Sequence, residues 1–156
     1  MKKLLIVTLL SLSFLSIAEI KNNYLDLWEE EKMARDVYTM MSRKYDSNIF
    51  YNIKSSEDRH MSQVESLLKL NNIPIPNYRD QLGVFQMAKY QNLYGVLVNK
   101  GNLSFRDAVE VGIIIEEADI HDLDELIKNV ENNQEYNVLN LLRSGSMNHL
   151  NAFERQ

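Results

Sequence analysis

Six residues of this chain combine ligand chemistry with helical spacing: Glu31, Glu57 with His60, Glu116 with Asp119, and His149. Each falls on an apolar stripe. Leu27, Ala34, Tyr38 and Met41 flank Glu31; Phe50, Ile53, Val64 and Leu67 flank Glu57 and His60. Val109, Gly112 and Leu123 flank Glu116 and Asp119, and Leu139, Leu142 and Phe153 flank His149. Such stripes mark the side of a helix that packs inward. A carboxylate taken inside without a partner costs on the order of several kcal/mol, so these groups need something that neutralises them. Two divalent ions held in common would do it. The four carboxylates carry four negative charges, and histidine ligates as the neutral imidazole. Residues three apart lie one turn apart on one face, so Glu57 and His60 reach the same ion or adjacent ions. A bridging carboxylate with His Nε2 as a terminal ligand is the expected use of that pair. Oxygen and nitrogen ligation suits iron or manganese and is compatible with zinc.

Each assignment has a plainer competitor. A Glu-x-x-His on a helix is often a solvated pair, but Ile53, Val64 and Leu67 share its face here. A single inward His is more often a hydrogen-bonded core residue, and only the other ligands raise His149 above that. The fourth helix carries Ser146 where a symmetric site would have Glu, one turn before His149. Asp119, one turn after Glu116, is expected to supply the missing carboxylate. Glu117 points away by its phase, and His121 lies off the stripe and belongs to the surface. Tyr38 can hydrogen-bond a ligand carboxylate or serve as a core tyrosine. Of Glu29, Glu30 and Glu31 beside Trp28, two are expected to be solvated charges near a helix start.

The elements that position these residues are helical. The pattern predicts a first helix from about Tyr24 to Tyr45 and a second from Ser47 to Asn71–Asn72, with Pro74 and Pro76 barring continuation. A loop from Ile73 to Phe85 follows, then a short amphipathic helix from about Gln86 to Asn99, closed by Gly101. A third long helix opens at Ser104 and breaks at Asn132–Asn133, and a fourth spans about Glu135 to Glu154. Ser55–Met61 resembles Ser144–Leu150 in pattern, a weak internal repeat that would set two helix pairs face to face about a pseudo-twofold axis.

The chain has 156 residues with 5 Gly and 2 Pro, which favours one all-α domain over a many-turned β fold. With no Cys, any metal must be held by oxygen and nitrogen, and disulfides and Cys-bound clusters are excluded. The net charge is −5 and no Lys/Arg run follows the first residues, which argues against nucleic acid as a partner. Lys2 and Lys3, the apolar run Leu4–Ile17 and the small residues ending at Ala18 have the layout of a secretory signal peptide. The run is shorter than the roughly 20 residues of a membrane span. The expectation is a signal segment at 1–18, a folded domain at 19–156, and a secreted or periplasmic protein. Cleavage removes two lysines and no acid, taking the charge from −5 to −7.

Glu31-Lys32-Met33-Ala34-Arg35 with Tyr38 resembles the first-helix motif of rubrerythrins, in the ferritin-like superfamily. Glu57-x-x-His60 and Glu116-x-x-Asp119 are similar to their second- and third-helix pairs. More closely, EEEKMARDVY, SSEDRHM, IEEADIHDL and SMNHLNAF together resemble an uncharacterised ferritin-like family of bacterial and archaeal proteins, over about Leu25 to Phe153. The resemblance implies a four-helix bundle with a crossover connection carrying the short helix, and a two-metal site, but no known reaction. It departs from rubrerythrins at Ser146 and in lacking any Cys-bound iron module. Two functions follow as expectations. One is a di-iron oxidoreductase, peroxidase- or ferroxidase-like, acting on peroxide, dioxygen or ferrous iron with an external electron donor. The other is a non-enzymatic metal-binding or interaction module. A purely structural bundle would need its inward acids satisfied internally. Pairing into a homodimer is compatible with the apolar outer positions.

Overall fold

The computed structural model describes the backbone of residues 2–156 and the side chains of 19–156; the expected signal segment, 1–18, therefore has no described side chains. Five helices form the described chain, with no strand among the described residues: α1 (Lys2–Lys44), α2 (Asn48–Leu70), α3 (Ala88–Gly101), α4 (Phe105–Asn129) and α5 (Asn133–Glu154). No helix among the described residues is long and apolar enough to cross a membrane.

Local chemistry sets most boundaries. Ser104 accepts from the Asp107 N–H and caps α4, and Asn132 accepts from the Gln134 and Glu135 N–H groups and caps α5. At the end of α2, Asn72 takes a left-handed φ of 56°. The Ile73 N–H donates to Leu68 O and the Asn72 N–H to Lys69 O, closing the last turn as a Schellman motif. Ser47 precedes α2 in extended conformation without a side-chain cap bond. Two boundaries differ from the sequence expectation. α1 runs N-terminally past Tyr24, where no Gly or Pro interrupts the chain. Gly101 is the last residue of α3 and Asn102 caps it.

α1 packs most extensively on α2, and α4 on α5; α2 also meets α5, α1 meets α4, and α3 lies across α1 and α4. The core is layered. One apolar cluster holds Val37, Met41, Phe50, Ile53, Val111 and Phe153; the other holds Leu27, Trp28, Val64, Leu67, Leu123 and Leu142. Between them every long helix contributes its polar residues: 29–32 on α1, 57 and 60 on α2, 116 and 119 on α4, 146 and 149 on α5. The order of layers along the chain makes α1 antiparallel to α2 and α4 antiparallel to α5, with α2 and α4 running the same way. That direction forces the long connection carrying α3.

That connection changes the fate of α1. The 71–87 loop and α3 cover its outer side, so Glu29 and Glu30, expected in solvent, are 1% and 6% exposed. Glu29 accepts from the Tyr78 hydroxyl and from the Gln86 and Met87 N–H groups, at 2.8 and 2.9 Å for the last two.

Candidate metal centre

All six ligand candidates are buried. The layer between the apolar clusters brings them together around a small void lined by Glu30, Glu31, Glu57, Glu116, Asp119 and Ile115, with no room for a whole water molecule. Glu57 sits between the two imidazoles. Its Oε2 is 2.9 Å from His60 Nδ1 and its Oε1 is 2.9 Å from His149 Nδ1. His60 Nδ1 also lies 3.2 Å from Glu31 Oε2, and His149 Nδ1 lies 3.4 Å from Glu116 Oε2. Glu57, His60 and His149 each offer one ligand atom within 4.8 Å of the others. The ring nitrogen turned inward is thus Nδ1 on both histidines, not the Nε2 expected from the sequence. His60 Nε2 instead faces the α5 backbone, where a Cβ on Gly145 would lie 2.3 Å from it. The two rings stack with centroids 5.1 Å apart.

The remaining acids are held from behind. Tyr38 donates to Glu116 Oε1 at 2.6 Å, and so takes the positioning role that the sequence left open for it. Ser146 donates from Oγ to Asp119 Oδ2. Ser146 is therefore not an idle gap in the ligand set; it orients the carboxylate expected to replace the missing Glu. Glu117 is exposed and His121 lies on the surface, both as expected.

Several ligand atoms have no partner. Glu31 Oε1, Glu57 Oε1, Asp119 Oδ1 and His149 Nδ1 are buried without a hydrogen bond, and Gln63 Oε1 is the remaining such atom among the described residues. The 2.9 Å approach of Glu57 Oε1 to His149 Nδ1 thus lies off the hydrogen-bond direction. Native proteins leave few buried polar atoms unpaired, so three on the lining of one void, with His149 Nδ1 beside Glu57, point to a missing partner. The carboxylate oxygens of Glu31, Glu57 and Asp119 share this space, the arrangement a cation needs.

Electrostatics agrees. Burial pushes Glu31 and Glu116 up to about 7, Glu31 less so because His60 pulls it down and Glu116 despite the help of His149 and Tyr38. Burial, with Glu31 and Glu30 nearby, drives Asp119 well above the carboxylate range. Burial also acts upward on Glu57, but the two flanking imidazoles outweigh it and hold it at about 2. Burial lowers His60 and His149, yet their carboxylate neighbours win and raise them to about 11 and 9. Without a cation the layer balances itself by keeping protons on acids and on both imidazoles. A metal would replace those protons, and these residues fit one.

Sequence reasoning missed Glu30, which lines the void and which burial, Asp122 and Glu31 push up to about 8. It also missed a second buried charge cluster on the next turn of α1. Lys32 and Asp36 are fully buried and paired at 2.7 Å. Arg35 Nε donates to Asp36 Oδ1 at 2.9 Å, and the Gly83 N–H donates to Asp36 Oδ2 at 2.9 Å. Lys32 also donates to Gln81 O and Arg35 to Arg79 O, which ties the 71–87 loop down. The one signal was that Trp28, Met33 and Val37 are apolar residues of α1 outside the inner stripe, so that helix is not polar over the rest of its surface.

Residues 21–156 match the family described as Uncharacterized protein domain (DUF2202). The chain is similar to the Uncharacterized protein MJ0754 of Methanocaldococcus jannaschii, 44% identical over 137 residues, 88% of this chain and 74% of that protein. It is also similar to the crystal structure of hypothetical protein MJ0754, with a TM-score of 0.83 at 44% identity over 86% of this chain and 77% of that one.

Proposed function

Starting from a chain that belongs to the DUF2202 family of uncharacterized domains, we propose that it is a ferritin-like four-helix bundle whose polar layer binds two divalent metal ions, iron first and manganese or zinc as alternatives. The observation that carries this reading is the void lined by Glu31, Glu57, Glu116 and Asp119, where Glu31 Oε1, Glu57 Oε1 and Asp119 Oδ1 have no hydrogen-bond partner, with His149 Nδ1 beside Glu57 at its edge. Glu57, His60 and His149 would hold one ion; Glu31, Glu116 and Asp119 would complete the pair, with Glu57 shared. Bound iron would supply one-electron redox chemistry toward peroxide, dioxygen or further ferrous iron. The protein's own part is to position and to insulate. Tyr38 and Ser146 fix the Glu116 and Asp119 carboxylates, and ligand orientation of this kind commonly tunes metal affinity 10- to 100-fold. The apolar clusters above and below keep bulk water from the layer. With no Cys in the chain, reducing electrons come from a separate donor. The signal-like start supports action outside the cytoplasm.

A one-ion site is favoured by a specific observation: among the described residues, only Glu57, His60 and His149 bring three ligand atoms within 4.8 Å of one another. It would make the protein a non-enzymatic metal-binding module. Elemental analysis of protein loaded with ferrous iron separates the readings. Two ions per chain, lost sharply in Glu57→Ala, with peroxide oxidising the loaded protein faster than a Glu31→Ala variant, is the expected result. One ion per chain selects the module. No iron, or unchanged iron in Glu57→Ala, overturns the metal reading.

A further inference from the structure

The acids of the polar layer continue outward. On α4, Glu116, Asp119, Asp122 and Glu125 follow at three-residue steps, which keeps them along one face. Exposure rises along the row: Glu116 and Asp119 are 2% and 4% exposed, while the side chains of Asp122 and Glu125 are 51% and 54% exposed. On α1, Asp26 and Glu30 lie one turn apart and repeat the gradient, with the Asp26 side chain 33% exposed and Glu30 at 6%. The two rows face each other across a cleft of about 230 Å³ lined by Asp26, Leu27, Glu30, Asp122, Glu125 and Leu126. Glu30 lines both this cleft and the inner void.

The rim acids have exposed partners. Lys89 pairs with Asp26 at 2.6 Å, His121 with Asp122 at 3.1 Å and Lys128 with Glu125 at 2.6 Å. Exposed pairs of this kind are weak, because water and salt screen them, and they exchange readily. Glu30 is different: it is more than nine-tenths buried, and no hydrogen bond or ion pair to its carboxylate is found among the described residues. It clamps no other group among the described residues, yet it stands where the cleft meets the void.

We propose that the α1–α4 cleft is the cation entrance of the buried centre, and that Glu30 is a relay carboxylate passing a divalent ion from Asp26 and Asp122 inward to Glu31 and Asp119. The proposal rests on the metal-binding reading above. A row of one charge sign between low-dielectric walls concentrates counter-ions and speeds their arrival. The inner void has no room for a whole water molecule, so an entering ion sheds its hydration shell at the neck. Glu30 supplies oxygen there to replace departing water. Glu30 is the one residue that lines both the cleft and the void, so without it an ion leaving the cleft has no shared ligand to carry it inward.

The test is the rate of cobalt(II) uptake by the metal-free full chain, followed by the visible absorption of the bound ion. Wild type, Glu30→Gln and the exposed rim variant Asp122→Asn/Glu125→Gln are compared. The expected result is equal final stoichiometry in all three. Uptake is slowed about 10-fold or more by Glu30→Gln, and less by the rim variant, whose deficit shrinks as salt screens the rim. Equal rates in all three proteins overturn the entrance while leaving the metal site standing. Reduced stoichiometry in Glu30→Gln makes Glu30 a permanent ligand and overturns the relay. No cobalt in the wild type overturns the metal reading itself, and the entrance with it. The rim variant alters only exposed side chains, so it decides the matter even if Glu30→Gln fails to fold.

Discussion

Glu31 and Lys32 are adjacent on α1 and equally buried, but they belong to opposite solutions of one problem. Lys32, Arg35 and Asp36 form a closed cluster. Asp36 accepts from Lys32, Arg35 and the Gly83 N–H, and the cations donate further to the Gln81 and Arg79 carbonyls of the 71–87 loop and, from Arg35, to the Asp58 carboxylate. Lys32 also lies 4.6 Å from the centre of the Phe85 ring. Glu31, Glu57, Glu116 and Asp119 form an open cluster, with more acid than base and four ligand atoms unpaired. A closed set of charges contributes a fixed loop and leaves nothing over for chemistry. An open set costs stability until something enters, and that cost is what makes it receptive.

The largest difference should come from breaking the closed cluster. Asp36→Ala leaves Lys32 and Arg35 buried without their shared anion. Losing one member of a buried pair costs about 3–5 kcal/mol. Because the cluster contains no ligand candidate, the loss is expected to be the same in metal-free and metal-loaded protein. Chemical denaturation in both states measures it. A loss confined to the loaded protein would merge the two regions into one and break the comparison.

The second difference is pH dependence, and the sign follows from the direction of each shift. Glu31 and Glu116 are raised from 4.5 to about 7, so their contribution is complete below 4.5 and lost as pH rises through 7. His149 and His60, raised from 6.5 to about 9 and 11, contribute below 6.5 and lose that contribution as pH climbs through those values. Glu57, lowered to about 2, contributes above 4.5 and fails only in acid. Metal-free protein is therefore most stable near about pH 5 and weakens toward alkali. Metal ligation needs these same groups deprotonated, so loading stabilises more at pH 8 than at pH 5 and releases protons. Thermal melts across pH, with and without manganese, read this directly. Parallel curves would mean that the ion does not displace the protons of this layer.

The sequence made the open cluster legible and hid the closed one, for a physical reason. Glu57, His60, Glu116, Asp119 and His149 stand alone on apolar stripes, so each breaks a period that the helix otherwise keeps. Lys32, Arg35 and Asp36 lie on the side of α1 that an isolated helix would give to water. They are buried because a loop 40 to 50 residues later folds over them, as the Arg35–Arg79 and Lys32–Gln81 bonds show. Periodicity reports a helix's own faces and carries no information about what a distant loop will cover. The same blindness misplaced Glu29 and Glu30. Helix positions were legible because Pro74, Pro76, Ser104 and Asn132 punctuate the chain with local chemistry. The inward Nδ1 of both histidines was not, because ring orientation depends on the close approach of the neighbouring helix.

That approach gives the smallest effect and the sharpest one. Gly145 lies on α5 facing His60, and a Cβ there would stand 2.3 Å from Nε2 and 2.8 Å from Cε1. Gly145→Ala gains about 0.8–1.0 kcal/mol of helix propensity at an interior position. It must also displace the His60 ring, whose other nitrogen is pinned between Glu31 and Glu57. In metal-free protein the two effects oppose each other, and the melting temperature is expected to change little. In loaded protein the displaced ring cannot keep Nδ1 on the ion, so affinity falls by about 10- to 100-fold, as when an orienting contact is lost. Calorimetric titration with manganese beside a melt of the metal-free variant separates the two. Unchanged affinity would show that His60 is a charge partner of the acids and no ligand, which would move the open cluster toward the closed kind.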